Sequence, residues 1–230
     1  GEVVPVTRGA GVLKDAVSEA LVAWIRDLTN SYYLIGSAVG PHPYPEIVTY
    51  FQKVIGEEAK AQILKVEHKL PRAIIACGSG GSNALGIFQA FLKDKEVELL
   101  FVEGEESAAF KYGSVGIFQG TKTYVLQDEC GMDRKTTSRA AGLNYPARGP
   151  QLSNIVKLGR VKVSTANNDE VLEAFRVMGK MEGLLPALET CHGIVELFKH
   201  KGKYKKNDAV ILNFSGRGDK DIEVALRLQK

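Results

Sequence analysis

A glycine-rich string, Gly78-Ser-Gly-Gly-Ser-Asn83, follows the apolar run Ala73-Ile-Ile-Ala-Cys77 and precedes a segment of helical period. Strand, tight turn and helix in that order aim several backbone N–H groups and the positive end of a helix dipole at one place, which suits a phosphate. The glycines let the backbone approach an anion closely, and Ser82 and Asn83 can add side-chain donors. The string is not a Walker loop, because no Gly-Lys-Ser/Thr closes it, and as GxGxxN it lacks the third glycine of the dinucleotide fingerprint. The competing reading is a tight turn with no ligand. A second cluster, Ser215-Gly-Arg-Gly-Asp-Lys-Asp221, ends the apolar run 209–214, at the carboxyl end of a strand, where open α/β sheets bind ligands. Its alternative is a capped turn with Arg217 and Lys220 in solvent.

The string Gly36-Ser-Ala-Val-Gly-Pro-His-Pro-Tyr-Pro45 has prolines that stiffen it and could hold His42 and Tyr44, although a lone histidine there reads as structural. Cys191 and His192 have the types of a nucleophile and a base, but adjacent helical residues point about 100° apart, so they form no dyad. Glu189, on a helix after Leu184-Leu-Pro-Ala187, reads locally as a surface residue.

Apolar runs of strand length alternate with helix-period segments, the pattern of a parallel sheet with crossover helices. The expected fold is α/β, an open, twisted, mostly parallel sheet with helices on both faces. Strands are expected at residues 2–6, 32–35, 73–77, 98–102, 122–126, 161–164 and 209–214, and helices at 13–28, 45–67, 83–93, 168–181, 186–200 and 219–228. Asn168 with Asp169 and Glu170 suits a helix start, as do Pro45 and Pro186. Residues 103–150, rich in Gly, Ser and Thr, are expected to form long loops on one edge. There is no internal repeat and no low-complexity segment.

With 44% apolar residues, 25% charged residues and a formal charge of +3, the composition excludes disorder and gives no strong electrostatic partner signal. The basic run Lys199 to Lys206 reads as a solvated connector, and nucleic-acid binding is not expected, since no stacking platform or recognised motif accompanies it. No apolar run approaches the roughly eighteen residues of a membrane span, and no signal pattern is visible. Cys77, Cys130 and Cys191 show neither a disulfide framework nor zinc spacing, which fits a reducing compartment, cytoplasmic or organellar. The start at Gly1, inside a strand-like run, leads to the expectation of a chain missing its beginning.

Taken in order and spacing, Leu13-Lys-Asp-Ala16, Gly40-Pro-His-Pro-Tyr-Pro45, Gly78-Ser-Gly-Gly-Ser-Asn-Ala84, Leu185-Pro-Ala-Leu-Glu189 and Ser215-Gly-Arg-Gly-Asp-Lys-Asp221 resemble the C-terminal part of the tryptophan synthase β subunit over the whole chain. The resemblance implies a fold-type II pyridoxal-phosphate (PLP) enzyme, with residues 1–30 the end of an N-terminal lobe and 31–230 the C-terminal, phosphate-binding lobe. By matching position it implies that Ser79, Gly80, Gly81, Ser82 and Asn83 hold the cofactor phosphate, with Ser79 where the family has another glycine. Glu189 lies by the cofactor ring, and Ser215 hydrogen-bonds the pyridine nitrogen. The family reaction condenses L-serine with indole. Its Schiff-base lysine and acid/base glutamate lie in a region these residues do not match; Lys14 and Lys220 stand in other strings.

The chain also departs from the family. Asn144 replaces the aspartate that helps close the site, Leu152 replaces a histidine, and the string Glu103-Gly-Glu-Glu-Ser-Ala-Ala109 is shorter than the family's glycine-rich loop. Two expectations follow. One is a tryptophan synthase β-like chain inactive alone, whose missing segment or partner chain carries the lysine. The other is a non-catalytic module that binds a ligand or serves as a structural subunit. An α subunit, a second copy or another chain is the expected partner, because a lobe without its companion exposes apolar surface.

Overall fold

Unbroken apolar strands need cover on both faces, and here the segments between them supply it as helices. A computed structural model of the chain describes residues 1–227, in two units, the first Gly1–Gly36 and the second beginning at Ser37. The first unit holds one helix, α1 (Leu13–Arg26), whose start is secured by the Asp15 carboxylate accepting the Ala10 N–H at 2.9 Å. Trp24 of this helix stacks on Tyr33 with ring centroids 5.7 Å apart. The strands expected at 2–6 and 32–35 do not form; these segments have no sheet partner among the described residues, and Val3, Val4 and Leu34 are exposed.

The second unit runs α2 (Tyr44–Gln52), α3 (Val54–Glu67), β1 (Ala73–Cys77), α4 (Ser82–Gln89), β2 (Glu98–Gly104), α5 (Ala109–Tyr112), β3 (Ser114–Phe118), β4 (Thr121–Val125), α6 (Pro150–Lys157), β5 (Lys162–Ala166), α7 (Asn168–Glu182), α8 (Leu188–Lys199), β6 (Val210–Leu212) and α9 (Ile222–Arg227). The parallel sheet has the order β5-β2-β1-β6. Alternate residues of β1 serve two cores: Ile74 and Ala76 pack with α4 residues such as Leu85 and Phe88, while Ile75 and Cys77 pack with Phe175 of α7 and Ile194 of α8. That two-sided burial is the α/β architecture expected from the sequence.

Several boundaries differ, each for a local reason. The helix expected over 45–67 divides at Lys53, where a β carbon on Gly56 would meet the Ile87 carbonyl at 2.5 Å and one on Gly86 the Gln52 carbonyl at 2.5 Å, so two backbones approach through glycines. Asn167, one residue before the expected start, caps α7 by accepting from the N–H groups of Asp169 and Glu170. Pro186 precedes α8 instead of opening it. The segment expected at 122–126 is not part of the parallel sheet: β3 and β4 pair antiparallel through a turn in which both Gln119 and Gly120 have positive φ, the geometry of a tight hairpin. Residues 103–150 thus hold a hairpin and a short helix besides loops, and α6 follows with Pro150 in its first turn. The expected final helix begins with a 3₁₀ turn, and its expected last residue, Leu228, lies outside the described residues.

Candidate active site

From β1 the chain passes to β2 and then β5 on one side, and returns to place β6 on the other side of β1. The strand order therefore reverses between β1 and β6, and in open α/β sheets the crevice at the carboxyl ends of such strands is where ligands bind. The two loops leaving that point are the glycine-rich loop after β1 and the Ser215 loop after β6. They meet directly. Asn213 Nδ2 donates to Asn83 Oδ1 at 2.8 Å, and Asn83 Nδ2 donates to the Cys77 carbonyl at 3.2 Å, tying both strand ends to the start of α4.

The glycine-rich loop is shaped for close backbone approach. Gly81 has φ +92°, and a β carbon there would lie 2.5 Å from Leu152 Cδ2; one on Gly78 would lie 2.8 Å from the Phe101 ring. The first backbone bond of α4 runs from the Leu85 N–H to the Gly81 carbonyl at 2.8 Å, so the N–H groups of Ser82, Asn83 and Ala84 precede it and remain for a ligand. These groups fit a phosphate. The Ser79 hydroxyl turns away from the crevice, donating to the Tyr145 carbonyl at 3.1 Å and accepting from Arg148 Nη1 at 3.1 Å. Ser79 therefore offers a ligand its backbone rather than its side chain, and Asn83's amide is engaged as described.

Behind this loop lies a buried ion pair. Arg148 and Glu103 are both 0% exposed, with Nε donating to Glu103 Oε1 at 2.6 Å, and the guanidinium also reaches the carbonyls of Tyr145, Ala147 and Ser107. Gly149, next in sequence, donates its N–H to the Gly80 carbonyl at 2.9 Å. Charge, side chain and backbone thus converge on the loop from one short segment.

On the opposite side, Ser215 is exposed and its hydroxyl lies 3.2 Å from Thr190 Oγ1 and 3.6 Å from Cys77 Sγ. Burial pushes the Cys77 thiol up to about 11 and that of Cys191 up to about 12, so both are held as thiols at neutral pH. Glu189, in the first turn of α8, accepts the Gly142 N–H at 2.8 Å and pairs with Lys220 Nζ at 3.0 Å. Burial alone would raise its carboxyl, but the Gly142 N–H, its own backbone N–H and Lys220 outweigh that and hold it below the ordinary carboxylate range. The Ser215 loop is pinned by backbone: the Ala187 N–H reaches the Gly216 carbonyl at 2.9 Å and the Gly218 N–H the Leu185 carbonyl at 2.7 Å. Asp221 accepts the Leu188 N–H at 3.0 Å and so satisfies the start of α8 from across the loop.

The structure thus places Gly80, Gly81, Ser82 and Asn83 after β1, Ser215 after β6 and Glu189 beside Thr190 at the start of α8, with the two loops joined by the Asn213–Asn83 bond and Ser79 turned toward Arg148. Sequence reading missed Arg148, Glu103, Asn213 and Thr190. A charged residue inside Tyr145-Pro-Ala-Arg-Gly-Pro150, among otherwise apolar and loop residues, was the available signal for Arg148. His42 lies apart, exposed and 3.8 Å from Glu46. His192 is a buried residue of α8, where its Nδ1 lies 2.9 Å from the Leu188 carbonyl and burial pushes the imidazole down to about 4. In the basic run, Lys199 pairs with Glu170 at 3.0 Å and Lys203 with Glu98 at 2.7 Å. No helix among the described residues is long and apolar enough to cross a membrane.

The solved structures that share this fold include two that by their names act on hydroxy amino acids. A threonine deaminase from T.th. superposes with a TM-score of 0.57 at 20% identity, covering 76% of this chain and 59% of that one. A fungal L-serine ammonia-lyase from Rhizomucor miehei superposes at 0.61 with 18% identity, covering 82% of this chain and 57% of that one. The chain therefore spans less than two thirds of the length of either protein. The family model for pyridoxal-phosphate dependent enzymes matches residues 1–216. With that match, and with the glycine-rich and Ser215 loops at the point where its strand order reverses, the chain belongs to the pyridoxal-phosphate dependent enzyme family of fold type II.

Proposed function

We propose that the chain is the phosphate-holding lobe of a tryptophan synthase β-like enzyme, acting in the condensation of L-serine with indole. The observation that carries the cofactor site is the Asn213–Asn83 bond at 2.8 Å, which joins the glycine-rich loop and the Ser215 loop into one crevice. What favours tryptophan synthase β over a deaminase or ammonia-lyase is the series of strings from Leu13-Lys-Asp-Ala16 to Ser215-Gly-Arg-Gly-Asp-Lys-Asp221. Bound PLP would supply an electron sink for bond changes at the amino acid's α and β carbons.

In this reading the chain's own residues bind and orient. The N–H groups of Gly80 to Asn83 would hold the phosphate, and Ser215 would hydrogen-bond the ring nitrogen. Glu189, held as a carboxylate by Gly142 and Lys220, would lie by the ring. The lysine that anchors the cofactor in that family comes from a segment or partner chain outside these residues.

A second reading, a non-catalytic module, is favoured by two departures. Asn144 has an uncharged amide where the family has an aspartate and so cannot supply the charge of a closing ion pair, its Oδ1 being buried without a hydrogen-bond partner, and Leu152 is fully buried against Gly81 where the family has a histidine.

Mixing the chain with PLP, recording its absorbance before and after borohydride, and then measuring intact mass tests the first reading. Binding that inorganic phosphate displaces, with no mass adduct, is expected; a reduced adduct on one lysine would place the anchoring amine within the chain. Turnover of serine and indole after adding a tryptophan synthase β N-terminal segment supports the catalytic reading, and phosphate-competable binding without turnover under that complementation supports the module.

A further inference from the structure

The hydroxyl of Ser215 is the exposed member of a trio whose other two members are buried. Thr190, on the first turn of α8, is 0% exposed, and Cys77, the last residue of β1, is 1% exposed. Their Oγ1 and Sγ lie 3.2 Å and 3.6 Å from Ser215 Oγ. A hydroxyl has one proton to give and two lone pairs to receive with. Which way the Ser215 proton points is therefore decided by what its two neighbours do with theirs.

Both neighbours carry a proton and can donate it to Ser215 Oγ. Burial holds Cys77 as a thiol, and a buried S–H has Ser215 Oγ as its side-chain partner. The Thr190 hydroxyl has two acceptors within reach, Ser215 Oγ at 3.2 Å and the Gly216 carbonyl at 3.5 Å, and the nearer is the better bond. If Ser215 Oγ receives from both, its lone pairs are filled from below and its own proton turns outward into the crevice.

Resting on the cofactor reading above, we propose that Thr190 and Cys77 are positioning residues that donate to Ser215 Oγ and so fix the Ser215 hydroxyl as an outward hydrogen-bond donor toward the pyridine nitrogen of the cofactor. An outward donor finds a complement only in an unprotonated ring nitrogen, so the trio selects that form. Three elements contribute, the end of β1, the first turn of α8 and the loop after β6, and the Asn213–Asn83 bond keeps two of them in register with the phosphate cradle.

The test uses 4-deoxypyridoxine 5′-phosphate labelled with ¹⁵N in the ring, which keeps the phosphate and the ring nitrogen and needs no lysine. Bound to the full chain, its nitrogen should give the shift of an unprotonated nitrogen that accepts a hydrogen bond. Thr190→Val combined with Cys77→Ala should move that signal toward the value seen with Ser215→Ala and weaken binding roughly 2–10-fold, the loss of one hydrogen bond. Thr190→Ser and Cys77→Ser keep a donor and should restore the original signal, which a merely structural role for either residue would not do. An unchanged nitrogen signal in the folded double variant, with the probe still bound, overturns the proposal while leaving the cofactor reading intact. Failure of the unaltered chain to bind the probe overturns both, and competition by inorganic phosphate tells whether the cradle itself was at fault.

Discussion

The glycine-rich loop and the Ser215 loop leave neighbouring strands and are joined by the Asn213–Asn83 bond, yet they are held by different means. The first is backed by a fully buried charge pair, Arg148 with Glu103, that reaches it through the Ser79 hydroxyl and the Gly149 N–H. The second is pinned by backbone bonds to the turn before α8, and its charges, Lys220 with Glu189 and Arg217 with Asp219, stand in or near solvent. Charges taken from water must be paired, and losing one partner strands the other, whereas an exposed pair is screened. The phosphate side should therefore be sensitive to single substitutions and the ring side tolerant of them.

The largest effect should come from Arg148→Ala, which leaves Glu103 buried without its cation. A stability loss of about 3–5 kcal/mol is expected from urea unfolding, with weaker retention of inorganic phosphate. Replacing both partners with apolar residues, as in Arg148→Met with Glu103→Leu, should lose far less, because no buried charge then remains. If the single and double variants lose the same amount, packing and not charge supports the loop. Next comes Gly81→Ala. It forces a β carbon onto a residue at φ +92° and against the buried Leu152, so about 1–3 kcal/mol and reduced phosphate binding are expected. Asn213→Ala removes the bond joining the two loops and should cost about 1 kcal/mol in unfolding while weakening PLP and inorganic phosphate to different degrees, since only PLP spans both loops.

The same contrast explains what could be read from residues alone. The run Ala73-Ile-Ile-Ala-Cys77 is apolar at every position because the sheet is covered on both faces, so the strand and the turn after it were legible locally. The Ser215 cluster was legible locally as a polar turn at the carboxyl end of a strand, whereas the pyridine-nitrogen role of Ser215 and any role for Glu189 came from resemblance, since nothing in a helical glutamate marks it as a site residue. Arg148 and Glu103 were not legible as partners: they lie far apart in the chain, and their pairing exists only once β2 and the segment before α6 are brought together. The two N-terminal apolar runs read as strands because pattern reports burial preference, but strand formation needs a neighbour to bond with, and none lies among the described residues. In the hairpin, Gly120 at a positive φ between alternating segments was the overlooked signal.

The smallest effect should be that of Lys220→Met, and its pH dependence sharpens the contrast most. Lys220 is about half exposed and pairs with both Glu189 at 3.0 Å and Asp221 at 2.8 Å, so the two pairs together should contribute about 1 kcal/mol near neutral pH. Glu189 takes up a proton less readily in the folded chain than in the unfolded one, because the Gly142 N–H, its own N–H and Lys220 together outweigh the effect of burial. A carboxyl lowered in this way contributes stability that is fully present above the ordinary carboxylate range and is lost as pH falls through the folded value. Lys220→Met removes one of those supports, so its unfolding midpoint should lie slightly below that of the unaltered chain at pH 7, and the gap should close as pH falls and Glu189 is protonated in both. A gap that persists in acid would mean that the lysine stem, not its charge, holds the ring side together. A gap as large as that of Arg148→Ala would erase the distinction between the two loops.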